Sequence, residues 1–392
     1  MIAFLKREKV LVIALFLAVS SAFLVHPDKE YMEYIDVRVL ALLFCLMLIV
    51  KGFQDMGLFA LLVRKVFGYI KNTRALALVM MLACFLCSML ITNDVALITF
   101  VPFAIMALHL CHQECLMIRV VVLQTLAANL GSMMTPIGSP QNLYLFSVSG
   151  MSLGTFVLTV LPLWVLSLVM LLGGTFVVIP KEPIVVSLTV KPSDETQKQR
   201  ALEKVTDEEW ISNIAGLNRV HLFVYFGLFL LNLLVVLHVF HWVPATLLTV
   251  VGVLLLHKQQ LLKQVDYALL FTFVGFFIFV GNIGRISLVS TLVEQLVSGR
   301  EILIGAVFSQ FLSNVPAAIL LSGFTDDFQG LLIGTNIGGM GTLIASMASL
   351  ISYKIYANEE RANKRKYIRT FTAANIVMFA VLLAFSHLPI YN

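Results

Sequence analysis

Apolar runs long enough to cross a membrane recur along the whole chain, separated by short polar turns. "LVIALFLAVSSAFLV" near the N-terminus and "FVLTVLPLWVLSLVMLLGGTFVVI" around residue 165 are typical. A hydrocarbon core of about 30 Å needs about 20 apolar residues in helical form. The pattern therefore predicts an all-α polytopic membrane protein. Its first span ends at "HPDKEYMEYID", and "DVRVLALLFCLMLIV" forms the second. "GLFALLVRKVFGYIKNTR" has the apolar spacing of a helix lying along the interface. An apolar segment from Ala75 to Leu110 follows, with a polar triplet, Thr92-Asn93-Asp94, near its middle. Further spans are predicted at about 153–179, 220–239 and 243–255, and a last one over "TAANIVMFAVLLAFSHLPI".

Composition agrees with the pattern. The 392 residues are 59% hydrophobic and 12% charged, where soluble proteins carry about 25%. Mean hydropathy is +0.94. The N-terminus imitates a secretory signal, but its apolar core is too long and acidic residues follow it, so a retained span is expected. The net charge of +5 is spread over loops rather than gathered in a patch, which points to topology and not to a nucleic-acid partner. Five cysteines, mostly within apolar stretches, imply no disulfide framework. "HLCHQEC", His109 to Cys115, has helical metal-ligand spacing but reads as an incidental cluster at a helix end, so neither metal nor cofactor is expected.

Basic residues in short loops mark the cytoplasmic side. Lys6, Arg7 and Lys9 place the N-terminus inside a cytoplasmic membrane, and the acidic turn after the first span lies outside. Lys181 to Arg219 is a long polar segment with six Lys/Arg and seven Asp/Glu. Ser193 could cap a cytoplasmic helix there, although a solvated linker between two halves is the simpler reading.

A repeat organises the rest. "ANLGSMMTPIGSPQNL" (Ala128–Leu143) aligns without gaps on "TNIGGMGTLIASMASL" (Thr335–Leu350). The alignment pairs Asn129 with Asn336, Gly131 with Gly338, Thr135 with Thr342 and Ser139 with Ser346. Upstream, "TNDVA" matches "SNVPA", pairing Asn93 with Asn314, and "ID…LLF" at Ile35 matches "VD…LLF" at Val265. The first repeat begins outside and the second inside, so the halves insert with opposite orientation, an arrangement typical of secondary transporters. Pro136, Pro140 and the neighbouring glycines break the helical ladder, and such irregular backbone survives at membrane depth only where protein or a watery cavity satisfies it. The organisation expected is an N-terminal span (1–34), a first inverted repeat (35–180), a cytoplasmic linker (181–218), connecting spans (219–262) and a second inverted repeat (263–392).

On "ITNDVALITFVPF", "ANLGSMMTPIGSPQN", "LSNVPAAILL" and "TNIGGMGTLIAS", the chain resembles the ion transporter superfamily from about Ile35 onward. That group takes in citrate-transporter-like permeases, divalent anion/sodium symporters and arsenite permeases. The resemblance implies scaffold helices plus two re-entrant hairpins whose tips are Thr92-Asn93-Asp94 and Ser313-Asn314-Val315. It also implies that "GSMMTPIGSP" and "GGMGTLIAS" are the unwound middles of discontinuous helices. In sodium-coupled members, tip side chains bind the substrate carboxylate, nearby carbonyls bind sodium, and a transport domain moves against a scaffold that dimerises. Sodium–dicarboxylate members carry Ser-Asn-Thr at both tips. Here Asp94 and Val315 stand in the third positions, and the "ND" pair is closer to the arsenite branch.

The expected function is secondary active transport of a small anionic substrate, a di- or tricarboxylate, coupled to sodium or protons. Arsenite efflux or sodium/proton antiport is the alternative on the same fold. The expected substrate and ion site comprises Thr92, Asn93, Asp94, Asn129, Gly131, Thr135 and Pro136 of the first half. From the second half it takes Ser313, Asn314, Asn336, Gly338 and Thr342. Asp94 is an intramembrane carboxylate and so a functional candidate by default, with capping of a helix from Val95 as its structural alternative. Enzyme readings lack their motifs: His-Glu-x-x-His and Gly-x-Ser-x-Gly are both absent, and "GTNIGGMG" is not followed by the Lys-Ser/Thr of a phosphate loop.

Overall fold

The computed structural model describes residues 9–56, 70, 72–183, 219–256, 258–360 and 362–388. Among these the chain is helical, and the only β pairing is an isolated bridge between Asn72 and Pro183. The first half holds α1 (Lys9–Ala22), α2 (Glu30–Tyr34), α3 (Val37–Asp55), α4 (Thr73–Ile91), α5 (Asn93–Leu110), α6 (Met117–Gly131), α7 (Pro140–Ser149) and α8 (Leu153–Val178). Then come α9 (Arg219–Val236) and α10 (Trp242–Leu255). The second half holds α11 (Tyr267–Gly284), α12 (Ser287–Val297), α13 (Glu301–Leu312), α14 (Asn314–Ser322), α15 (Phe328–Gly338), α16 (Met347–Ala357) and α17 (Lys364–Ser386). Among the described residues, six helices are long and apolar enough to cross a membrane. The interfacial helix expected after α3 and the helix expected at Ser193 lie outside the described residues, except that Thr73 and Arg74 already belong to α4. α9 ends at Val236 rather than Val239, because His238 turns the backbone left-handed (φ 61°).

Local chemistry sets the helix starts. Asp36 accepts the Val39 amide at 3.0 Å and Asp266 accepts the Leu269 amide at 3.0 Å, so the matching "ID" and "VD" landmarks are N-caps of α3 and α11. Asn72, Ser152 and Asp327 cap α4, α8 and α15 in the same way. The rows of elements then run in parallel. α3, the α4–α5 hairpin, the interrupted α6–α7 and α8 are answered in order by α11, the α13–α14 hairpin, the interrupted α15–α16 and α17.

α6 is the centre of the molecule: apart from Arg119 every one of its residues is buried, and α4, α5, α8, α16 and α17 pack around it. Large apolar side chains such as Val177, Phe223 and Leu247 are instead exposed on the periphery, as a lipid-facing surface requires.

Polar contacts between helix ends fall into two groups. Lys258 pairs with Asp55 at 2.6 Å, and His109 Nε2 lies 3.0 Å from Glu359. On that same side Thr73 donates to the Pro180 carbonyl at 2.6 Å. In the other group Arg285 pairs with Asp28 at 2.7 Å, Asn282 donates to Tyr31 at 2.8 Å and Arg38 donates to the Val235 carbonyl at 3.3 Å. The Arg285 hydrogen bond holds the Asp28 carboxyl below its usual range. These are the same two groups of loops that the charge pattern separates.

Candidate functional site

Each hairpin turns on one residue with a backbone that only glycine adopts readily. Thr92 has φ 67° and ψ 150°, and Ser313 has φ 78° and ψ 152°. A β-branched or hydroxylated residue held there costs about 1–3 kcal/mol, and such strain persists where the surroundings over-determine it. Both residues occupy the N-cap position of the outgoing helix without capping it by a side chain. Ala96 and Ala317 donate their amides to the Thr92 and Ser313 carbonyls, each at 3.1 Å. The two tips are thus the same turn.

Directly behind each tip is an interrupted helix. α6 stops at Gly131, two short 3-10 turns follow (Ser132–Met134 and Pro136–Gly138), and α7 begins at Pro140. α15 stops at Gly338, and the chain runs irregularly, with Gly341 at φ 108°, until Met347 starts α16. Pro136 is buried at the start of the second 3-10 turn, where its missing N–H is no loss.

The polar side chains join tips to breaks, and one half to the other. Asn93 Nδ2 donates to Asn129 Oδ1 at 3.0 Å, and both residues are buried. Asn129 in turn meets the second half: Ser346 donates to its Oδ1 at 2.9 Å and its Nδ2 donates to Ser349 at 3.2 Å. The reciprocal contact exists. Asn336 Nδ2 donates to Asn142 Oδ1 at 2.8 Å, and Asn142 stands where Ser349 stands in the repeat. In the second half the Asn314 amide donates to the Ala345 carbonyl at 2.9 Å, tying that tip to its own break.

Asp94 lies half-buried in the first turn of α5. Its amide donates to Asn93 Oδ1 at 3.0 Å, yet among the described residues no hydrogen bond or ion pair reaches its carboxylate. The helix begins at Asn93 and not at Val95, and Asp94 caps none of its amides. Capping therefore does not account for this acid. The helix dipole does favour a negative charge at that end.

Comparison with known proteins decides the family. A family profile described as Citrate transporter matches residues 1–327. The chain belongs to the citrate transporter family. It is 30% identical over 347 residues to Inner membrane protein YbiR of Escherichia coli (strain K12), covering 87% of this chain and 85% of that one. It is also 26% identical over 336 residues to Uncharacterized transporter MJ0456 of Methanocaldococcus jannaschii, covering 86% and 85%. The protein is accordingly a membrane transporter, and the resemblance drawn from the four motifs holds. The profile match ends at Asp327, just before α15, but the second interrupted helix answers two contacts of the first, Thr342–Gln310 for Thr135–Met89 and Asn336–Asn142 for Asn129–Ser349.

Within this citrate transporter family member, Thr135, Thr342, Gly131 and Gly338 lie at contacts between the breaks and the hairpins. Thr135 donates its hydroxyl to the Met89 carbonyl, and Thr342 donates to the Gln310 carbonyl at 3.0 Å. Met89 and Gln310 each lie four residues before the tip asparagine. Both threonines thus stitch the break to the hairpin, and Thr342 is exposed on its far side. Gly131 and Gly338 are sites of closest helix approach. A Cβ at Gly131 would stand 2.0 Å from the Phe85 carbonyl oxygen, and one at Gly338 would stand 2.5 Å from Ser309 Cβ.

Sequence reasoning missed three participants. Gln310 donates to the carbonyls of Ala306 (3.1 Å), Gly338 (2.9 Å) and Met340 (2.9 Å) and accepts the Thr342 amide at 2.9 Å, so it replaces the ladder lost at the second break. Asn142 and Ser349 carry the contacts between halves. Their signal was present: the ungapped repeat places these two polar residues opposite each other, and Gln310 is one helical turn before Asn314.

Proposed function

We propose that this transporter is a secondary active carrier of the cytoplasmic membrane that moves a di- or tricarboxylate with sodium or protons. It would be built as two inverted repeats, each with a re-entrant hairpin, and would work as a homodimer with its N-terminus inside. Lengths support the re-entrant reading at the second hairpin, whereas α4 of the first is itself long enough to cross. At 1.5 Å per residue α13 and α14 are about 18 and 14 Å long, well short of the about 30 Å of hydrocarbon. The inversion is supported by the ends of the hairpins. α4 starts beside Pro180 in the group with Lys258 and Glu359, whereas Ser322 at the end of α14 meets Tyr144 near the end of α7.

The observation that carries the coupling is the unpaired Asp94 carboxylate beside the Asn93–Asn129 contact. An ionised Asp94 repels an incoming carboxylate, and the repulsion is strong where water is scarce. A proton or a sodium ion on Asp94 removes it. Binding of the anion and of the coupling ion then favour each other, which is what symport requires. The asparagines supply neutral amide donors to the anion, as do the first-turn N–H groups of α5 and α14.

The same acid favours a second reading. Only one tip carries it, Val315 standing at the other, so a site built around one exchangeable cation also suits sodium/proton antiport or passage of a neutral acid such as arsenite. Proteoliposome uptake of citrate, succinate, sulfate and arsenite under imposed sodium or proton gradients separates the two. Saturable, gradient-driven accumulation of a carboxylate is expected. Movement of arsenite or of protons against sodium, with no carboxylate uptake, transfers the assignment to the second reading. Uptake that never exceeds equilibrium under any gradient makes the protein a channel and refutes both.

A further inference from the structure

Basic residues are densest in "RANKRKYIR", Arg361 to Arg369, a run that the transport site does not use. Its later part opens α17, one of the helices long and apolar enough to cross a membrane. The first turns of α17 are firmly held. Asn363 caps the helix by accepting the Lys366 amide at 2.9 Å, and its own amide donates to Tyr356 Oη at 2.9 Å. Tyr367 is buried and stacks on Tyr356 with ring centroids 4.9 Å apart, and its hydroxyl lies 3.3 Å from Ser352 Oγ. The basic side chains are thus presented by a fixed platform rather than a fraying end.

Three of them share the outer face of α17. Tyr367, Phe371, Asn375, Met378 and Leu382 bury its inner side. Arg365 and Arg369 are one turn apart on the opposite side, and Ile376 continues their line two turns further on. Val377 stands below Lys366 in the same way. Arg365, Lys366 and Arg369 are all exposed, and so are Ile376 (56%) and Val377 (57%). At 1.5 Å per residue the helix from Arg369 to Ser386 runs about 27 Å, close to the about 30 Å of hydrocarbon. Arg369 therefore stands at the hydrocarbon edge, and Arg365 and Lys366 a turn beyond it, among the lipid headgroups.

Among the described residues no carboxylate pairs with these three cations. Glu359, just before them, is held by His109 at 3.0 Å. Nor do they serve α17 itself, because cations in the first turns oppose the helix dipole. What complements them is a molecule with an anionic head and apolar tails. Its phosphate oxygens accept from the two guanidinium groups, and its chains lie along Ile376 and Val377. A zwitterionic lipid has the same phosphate but brings a cation of its own into the cluster. We propose that Arg365, Lys366 and Arg369 bind an anionic phospholipid at the end of the molecule marked by the His109–Glu359 contact. The inference needs only that α17 spans the bilayer, whatever the substrate.

The test is lipid binding by the purified full chain in neutral detergent, read by native mass spectrometry. Phosphatidylglycerol is compared with phosphatidylcholine of the same acyl chains. One basic residue at an anionic surface is worth about fivefold in affinity. The wild type is expected to bind phosphatidylglycerol at least about tenfold more tightly, and Arg365→Gln/Lys366→Gln/Arg369→Gln to lose that preference. Lys364→Gln, on the side of Tyr367 and Phe371, should keep it. Equal affinity for the two lipids in the wild type overturns the inference, and so does a preference that survives in the triple variant. Inorganic phosphate that binds as tightly as the lipid also overturns it, since the apolar stripe would then contribute nothing. Should the triple variant fail to fold, Arg369→Gln decides, with a loss of about fivefold expected and no loss counting against the site.

Discussion

Gly131→Ala tests whether the interrupted helix is locked to its hairpin by contact. The added Cβ would stand 2.0 Å from the Phe85 carbonyl oxygen, 2.7 Å from the Phe85 carbonyl carbon and 2.7 Å from Ser88 Oγ. Carbon and oxygen approach to about 3.3 Å, so α4 and α6 would have to part by roughly 1.3 Å. The obstacle is helix backbone, which no rotamer change can move, and α6 is enclosed by neighbours along almost its whole length. Overpacking of this kind costs about 1–3 kcal/mol and occasionally more, and this position belongs at the upper end. Gly173→Ala is the control, because a Cβ there meets nothing within 4 Å inside α8. That change should stabilise by about 0.5–1 kcal/mol through helix propensity. Thermal unfolding of both variants in one detergent should therefore separate them by about 3.5–4 kcal/mol, with Gly131→Ala below wild type and Gly173→Ala at or above it. A Gly131→Ala protein that melts with wild type but transports poorly would refute the packing argument. It would return Gly131 to the list of groups that touch substrate.

The other expectations concern the tips and the second break. Asp94→Asn should fold normally and lose the dependence of uptake on the driving ion; unchanged coupling ends the role given to this carboxylate. Gln310→Met installs the residue of the first half and removes an NH2 group that serves three carbonyls together with one carbonyl acceptor, for a loss of about 2–3 kcal/mol at about 1 kcal/mol per hydrogen bond, read as a lowered melting temperature. Thr92→Gly and Ser313→Gly should each raise the melting temperature, since strain of about 1–3 kcal/mol outweighs the about 0.5–1 kcal/mol entropic cost of glycine. A lowered value in both would show that the tip conformation is not strained.

How much of this was readable in advance follows from the kind of force involved. Spans and breaks were readable because hydropathy and the proline ring act within a few residues: Pro136 and Pro140 fall within the interruption the sequence predicts. The tips were readable as a pair because Asn93 and Asn314 repeat in matched surroundings. The reasons for Gly131, Gly338, Thr135 and Thr342 were not, since each depends on which backbone lies across from it. A glycine needed for close approach and one needed near a ligand look alike in sequence. Asn142 was overlooked for a related reason. Its counterpart is a serine, and only the crossed contacts show that the two residues do the same work.

Those crossed contacts bear on coupling. Asn129 belongs to α6 of the first half but reaches α16, and Asn336 belongs to α15 of the second but reaches α7. Each break is thus hydrogen-bonded to the opposite half. Asp94 sits one residue from the Asn93 that feeds this network, and among the described residues no hydrogen bond or ion pair reaches its carboxylate. Charge on Asp94 is therefore placed to be felt at both breaks, through Asn93 and Asn129 to Ser346 and Ser349. Val315 offers no such handle at the second tip. The two halves share one scaffold of contacts, and on the coupling proposed above an ion at the single acid would bias it from one place. A double-mutant cycle between Asp94→Asn and Ser346→Ala puts a number on the connection. Side chains in one hydrogen-bond network couple by about 0.5–3 kcal/mol, so uptake affinities that combine additively would show that the acid acts alone.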